Sequence, residues 1–244
     1  MEERLNKWLS QMGVCSRREA DRLIEAGKVL VDNRPASMGQ KVTPGQKVVC
    51  NGRMVRVDKS RKPRPVLLAV NKPRGIVCTT TDKDRAENIV DFLGYPERIY
   101  PVGRLDKDSE GLLLMTNQGE LVNQILKGRY GHEKEYLVTV NKEITASFLE
   151  RMRKGVKILD TVTRPCTAEQ TGEKSFRIIL TQGLNRQIRR MCEALGYRVK
   201  TLKRVRIMNL ELGSLKTGEY REITKEEYRE LKRLLEGRAG RGNL

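Results

Sequence analysis

The sequence predicts an α+β fold in two parts: a small basic module, then a domain built on a mainly antiparallel mixed sheet with flanking helices. Three observations predict it. Two short helical patterns followed by turn-punctuated strands fill residues 1–60. A basic, proline-containing stretch through Lys59, Arg61, Lys62, Pro63, Arg64 and Pro65 then reads as a linker, assigned to residues 61–65. From Val66 to residue 236, strand-like and helix-like runs mix without the regular alternation of a doubly wound sheet. Residues 237–244 read as a frayed tail.

In the first part Leu5, Trp8, Leu9 and Met12 recur at helical spacing, and Gly13 ends the pattern. Ser16 and Glu19 form an S-x-x-E capping box that opens a second helix with Ala20, Leu23 and Ile24 inward; Gly27 stops it. Short apolar runs follow, Val29–Val31 and Val48–Cys50, with turns at Asp32-Asn33, Pro44-Gly45 and Asn51-Gly52. The last is a strong hairpin signal, because both residues accept positive φ. In the second part strands are expected at 66–70, 76–80, 112–116, 136–140, 176–180 and 205–212. Helices are expected at 88–93, 120–126, 145–153, 185–195 and 225–235.

Charge narrows the function. The chain carries 49 Lys+Arg against 31 Asp+Glu, a net +18 over 244 residues. Residues 1–64 hold 15 of those bases and 7 of the acids, net +8, so the module is the more basic part per residue. That balance, with only 5% aromatic residues, points to a polyanion, nucleic acid before an anionic membrane surface. No apolar run is long enough to span a bilayer, and the first residues are charged where a signal peptide would be apolar; a cytoplasmic protein is expected. Five cysteines without a CxxC pair suggest reduced thiols. A single histidine, His132, and the lack of GxxxxGK[ST] or GxGxxG argue against a His-ligated metal or a nucleotide cradle, so neither metal nor cofactor is expected.

Three segments hold residues that could do chemistry. Asp106 and Asp108 lie between Arg104 and Lys107 and a very apolar run; either could be an ionised nucleophile or base, or the segment could be a charged loop with local ion pairs. In residues 183–192, Ile188, Met191, Cys192 and Leu195 share one helical face, Arg186 and Arg190 point away, and Arg189 lies at the boundary. Asn185 is the expected cap. A boundary arginine could reach a carboxylate or phosphate, or the helix could simply have a basic outer face. Tyr136 could stack on a base or fill a strand position, His132 reads as a loop residue, and the Lys72–Gly75 turn could touch phosphate or solvent.

Gly103-Arg-Leu-Asp106 adds a resemblance. With Asn71-Lys72-Pro73, Glu133–Leu137 and Asn185–Met191 in the same order, the chain resembles the bacterial ribosomal RNA pseudouridine synthases. The branch it resembles joins the A-type enzymes of the small ribosomal subunit with the B-, E- and F-type enzymes of the large one, and the likeness is close to the F type. Residues 4–21 resemble the small S4-like (alpha-L) RNA-binding domain. The resemblance implies an isomerase that converts uridine to pseudouridine in large-subunit ribosomal RNA, with Asp106 as the essential aspartate, Tyr136 packing on the target ring and Arg189 pairing with Asp106. It further implies RNA contacts near the site from Lys72, Arg104, Leu105, Lys107, Arg186, Gln187 and Ile188, and from Arg4, Lys7, Ser16, Arg17 and Arg18 in the module. A monomer is the default state. Transfer RNA or small-subunit RNA as substrate, and a non-catalytic RNA-binding or ribosome-assembly factor, stay open.

Overall fold

A computed structural model describes residues 2–55, 64–79, 87–126 and 131–239, with side chains described up to residue 237. The chain divides into two compact units, Met1–Arg64 and Pro65–Leu244. Most of the expected linker, residues 61–63, and the end of the tail, residues 240–244, lie outside the described residues.

In the first unit the capping signals act locally. Helix Leu5–Gln11 buries Leu5 and Leu9, and helix Arg17–Glu25 buries Ala20 and Ile24. Ser16 Oγ accepts the Glu19 N–H at 3.1 Å, so the capping side chain satisfies one free amide of the first turn. Strands Val29–Val31 and Arg34–Pro35 join through Asp32-Asn33 at φ 49° and 64°. Val48–Cys50 and Arg53–Met54 join through Asn51-Gly52 at φ 49° and 73°. Both are tight hairpins whose positive φ suits right-twisted strands. Val29, Val31, Val48 and Cys50 alternate inward and close a small core on the two helices.

Among the described residues the second unit is built on a nine-stranded sheet, with helices and a small two-stranded sheet beside it. Its main order runs Thr167–Gly172, Ser175–Leu180, Lys134–Val140, Val199–Ile207, Glu110–Thr116, Leu67–Lys72 and Tyr220–Glu222. Among the described strands of this sheet every pair is antiparallel except Val199–Ile207 with Glu110–Thr116, where Arg204 lies opposite Gly111. That one parallel joint is close: a Cβ on Gly111, at φ +99°, would stand 2.2 Å from the Arg204 carbonyl oxygen. Only glycine fits there. On one side of the joint the core gathers Phe148, Phe176, Met191 and Cys192; on the other it gathers Leu68, Val70, Leu113 and Met115. Tyr136 packs against both clusters.

The differences from the sequence reading have local causes. No strand forms over 76–79; an isolated bridge joins Val77 to Asn88, and Thr80 is outside the described residues. The expected 205–212 strand is Val199–Ile207, a turn with Met208 at φ 53°, and Leu210–Glu211. Thr167–Gly172 escapes hydrophobic patterning because, as an edge strand, it buries only Ala168. Helix Gln187–Ala194 is capped by Arg186 at φ 50°, with no side-chain cap bond; Asn185, the expected cap, instead accepts from Arg190 through its carbonyl and Oδ1. The last helix runs Lys225–Ala239, so the first three residues of the expected 237–244 tail continue it.

Candidate active site

The parallel joint has a cavity of about 510 Å³ beside it, lined by residues 102–106 and Ser109 of one loop, residues 180–188, Lys134 and Tyr136 from one strand, and Arg204 from the next. That volume suits one small ligand or one nucleoside.

Asp106 sits on the loop between Tyr100–Pro101 and Glu110–Thr116, and its side chain keeps about a third of its exposure. The loop is clamped. Val102 N–H donates to Leu114 and Ser109 N–H donates to Asp106; Gly75 N–H donates to Lys107 from outside. Lys72, fully buried, donates its ammonium to the Ser109 and Pro73 carbonyls at 2.8 and 2.7 Å. Arg189 reaches in from helix Gln187–Ala194 and donates to the Asp108 carbonyl at 2.9 Å and Ser109 Oγ at 3.3 Å. Burial first, then nearby Arg186, lowers the pKa of Arg189, while Asp106 and Asp108 act against that lowering.

Two expectations change here. The guanidinium in ion-pair range of Asp106 is Arg186, 3.7 Å from Oδ2, whereas Arg189 bonds the loop that carries Asp106. Arg186 stands at the left-handed start of that helix and lines the cavity. Lys72 is not a surface RNA contact: it is sealed in the core, where burial lowers its pKa, and its protons are given to backbone carbonyls.

The other expected residues fall into two places. Arg104, Leu105, Arg186, Gln187 and Ile188 line the cavity with Asp106 and Tyr136. Leu105 and Ile188 form apolar wall, and the Gln187 side chain is held by Leu184 N–H at 3.0 Å. Lys107 is exposed on the clamped loop. Arg4, Arg17 and Arg18 are exposed on the first unit, Lys7 pairs with Glu3 at 2.7 Å, and Ser16 serves as the helix cap.

Sequence reasoning gave no role to Ser109, Lys134 or Arg204. Lys134 lies two residues before Tyr136, so strand periodicity alone puts both on one face. Arg204 could not be found that way: a bulge pairs Glu135 with Arg206 and Tyr136 with Arg204, skipping Val205 and re-aiming the partner strand. Among the described residues no cluster of His, Cys, Asp and Glu could hold a metal ion, and no helix is long and apolar enough to cross a membrane.

A carboxylate on a rigid loop, an aromatic ring facing the same space and a wall of cations can receive one nucleoside of a polyanion. Comparison with known proteins agrees with that shape. The RNA pseudouridylate synthase family profile matches residues 66–194, and the S4 domain profile matches residues 3–48. The chain is 52% identical over 233 residues to the dual-specificity RNA pseudouridine synthase RluF of Escherichia coli K12, covering 96% of this chain and 79% of that one. It is 37% identical over 240 residues to the ribosomal large subunit pseudouridine synthase B of Bacillus subtilis, covering 95% and 96%. A crystal structure of a pseudouridylate synthase, 26% identical, superposes with a TM-score of 0.68 over 94% of this chain and 99% of its own. Clamped loop, cavity and matched sequence converge: this chain belongs to the RNA pseudouridylate synthase family, with an S4 domain ahead of the synthase domain.

Proposed function

We propose that the protein isomerises one uridine of large-subunit ribosomal RNA to pseudouridine, with Asp106 acting at the sugar–base junction. The observation that carries this is the Asp106 carboxylate on a loop fastened by Lys72 and Arg189, facing a nucleoside-sized cavity that Tyr136 also lines. The reaction breaks the N1–C1′ bond and joins C5 to C1′. A fixed, partly solvated carboxylate beside Arg186 is available as nucleophile or base, while the Arg186 pair, being half exposed, is too weak to bury it. The uridine leaves its stack to reach Asp106, which costs a few kcal/mol, and stacking on Tyr136 returns about 1–3 kcal/mol. Arg4, Arg17 and Arg18 supply phosphate contacts from the first unit. The protein acts as a monomer in the cytoplasm and uses no cofactor.

The large-subunit target rests on likeness to the ribosomal large subunit pseudouridine synthase B of Bacillus subtilis. A relative called dual-specificity is reason to test transfer RNA beside it. Pseudouridine is mapped in ribosomal and transfer RNA from cells lacking the gene, with wild type or Asp106→Asn restored. One uridine in large-subunit RNA is expected to lose its modification and regain it with wild type only. An unchanged map would remove the enzymatic reading and leave a ribosome-assembly or RNA-binding factor.

A further inference from the structure

The cavity contains more cationic charge than Asp106 can balance. Among the described residues its strongly charged lining is Asp106 against Arg104, Lys134, Arg186 and Arg204, with His132 and Tyr136 as the other titratable groups. Arg104 and Arg186 are exposed to water, but Lys134 is half-buried and Arg204 is buried. Arg204 is 4% exposed; its Nε donates to the Leu112 carbonyl at 2.7 Å, while its buried Nη2 has no hydrogen-bond partner among the described residues. Lys134 donates to the His132 carbonyl at 3.3 Å. Acids close by along the chain are committed elsewhere: Glu135 to Arg206 and Arg177, Glu133 to Arg206. Burial, then the charge of Arg204, lowers Lys134 to about 8. A buried and a half-buried cation side by side, with no ion pair to either among the described residues, are costly, and an arrangement of that kind stands at sites where charge develops during a reaction.

We propose that Lys134 and Arg204 hold the negative charge that builds on the uracil carbonyl oxygens during isomerisation, as a preorganised pair of donors facing Tyr136 and Asp106. This rests on the pseudouridine synthase reading above. When N1–C1′ breaks, its electron pair stays with the uracil and spreads over O2 and O4, and C1′ is left electron-poor beside the Asp106 carboxylate. After rotation C5 donates a pair to C1′, the C5 proton is lost and N1 gains one, so atoms and charge balance. Addition of Asp106 to C6 moves the pair onto O4 as an enolate, and removal of a 2′ proton expels the same uracil anion. Each route loads charge on the carbonyl oxygens. Donors fixed in place before that moment stabilise it without reorganisation. A cytosine would present an amino group where uracil presents O4, and a site made of donors rejects it.

The test uses the full chain on transcribed large-subunit RNA in single turnover. Lys134→Met is expected to lower the rate about 100-fold or more, the scale of one lost oxyanion donor. RNA affinity is expected to stay within about twofold, because phosphate contacts dominate binding. Its melting temperature is expected to be unchanged or raised. At neutral pH, below the folded value of about 8, the ammonium is charged in both states, and burying that charge costs stability. Wild-type rate falls as pH rises through 8, and Lys134→Arg, which stays charged, recovers part of the rate and moves that fall upward. Arg204→Met is expected to match Lys134→Met; should it unfold for want of the Leu112 bond, the lysine variants decide alone. Wild-type rates in Lys134→Met, or a rate loss tracking a fall in melting temperature, overturn the charge-holding role. Absence of product from the wild type on ribosomal and transfer RNA overturns the enzymatic reading itself.

Discussion

The basic residues of the first unit and those of the synthase cavity are the same chemical groups in opposite surroundings. Arg17 and Arg18 stand exposed in the first turn of helix Arg17–Glu25. Cations there oppose the helix macrodipole at a cost of about 0.3–1 kcal/mol, so they do not serve the helix, and a phosphate would relieve both. Lys72 and Arg204 are buried, Lys134 and Arg189 half-buried, and all four bond backbone carbonyls or a hydroxyl. The exposed set gives long-range, salt-screened attraction; the second set fixes a loop and fills a cavity wall with donors. A net charge of +18 reports only their sum.

That contrast can be broken from either end. The largest effect belongs to Asp106→Asn, which is isosteric and leaves the loop clamps in place; its single-turnover rate is expected to fall about 10³-fold or more while RNA affinity holds. Arg189→Ala removes the bonds to Asp108 and Ser109 and is expected to lower the rate about 10²-fold by loosening the loop, whereas Arg186→Ala, losing a half-exposed 3.7 Å pair, is expected to cost about tenfold or less. Equal losses in the two variants would contradict the division between clamp and ion pair. Gly111→Ala forces a Cβ onto the Arg204 carbonyl and is expected to destabilise the synthase unit by about 3 kcal/mol, read as a melting temperature lower by about 6–12 °C. The smallest effects are at the surface. Arg17→Ala and Arg18→Ala are each expected to weaken RNA binding a few-fold and to reduce the slope of log affinity against log salt by about 1, without altering the single-turnover rate at saturating protein.

How much of this could be read from the sequence follows from which signals are local. Capping, tight turns and helical stripes depend on residues a few positions apart, so Ser16, Asn51-Gly52 and the Ile188, Met191 and Cys192 face are visible in the chain. The position of Asp106 before an apolar strand is visible for the same reason. Lys72 misleads because a lysine followed by proline reads as a surface turn, and only the sheet shows that Ser109 comes to meet it. Arg186, expected to point away, lies within 3.7 Å of Asp106 from a left-handed backbone position that helical periodicity cannot register. Arg204 is hidden by a bulge between strands more than sixty residues apart in sequence, which no pattern within one strand encodes.

The central claim is that the cavity receives one uridine lifted out of its stack, with its sugar–base bond at Asp106. A structure of the full-length Asp106→Asn chain bound to a large-subunit RNA hairpin that the wild type modifies tests it most directly. The account predicts a single uracil ring against Tyr136, its C1′ beside residue 106 and its carbonyl oxygens turned to Lys134 and Arg204. RNA held firmly with every base stacked and the cavity empty would contradict it.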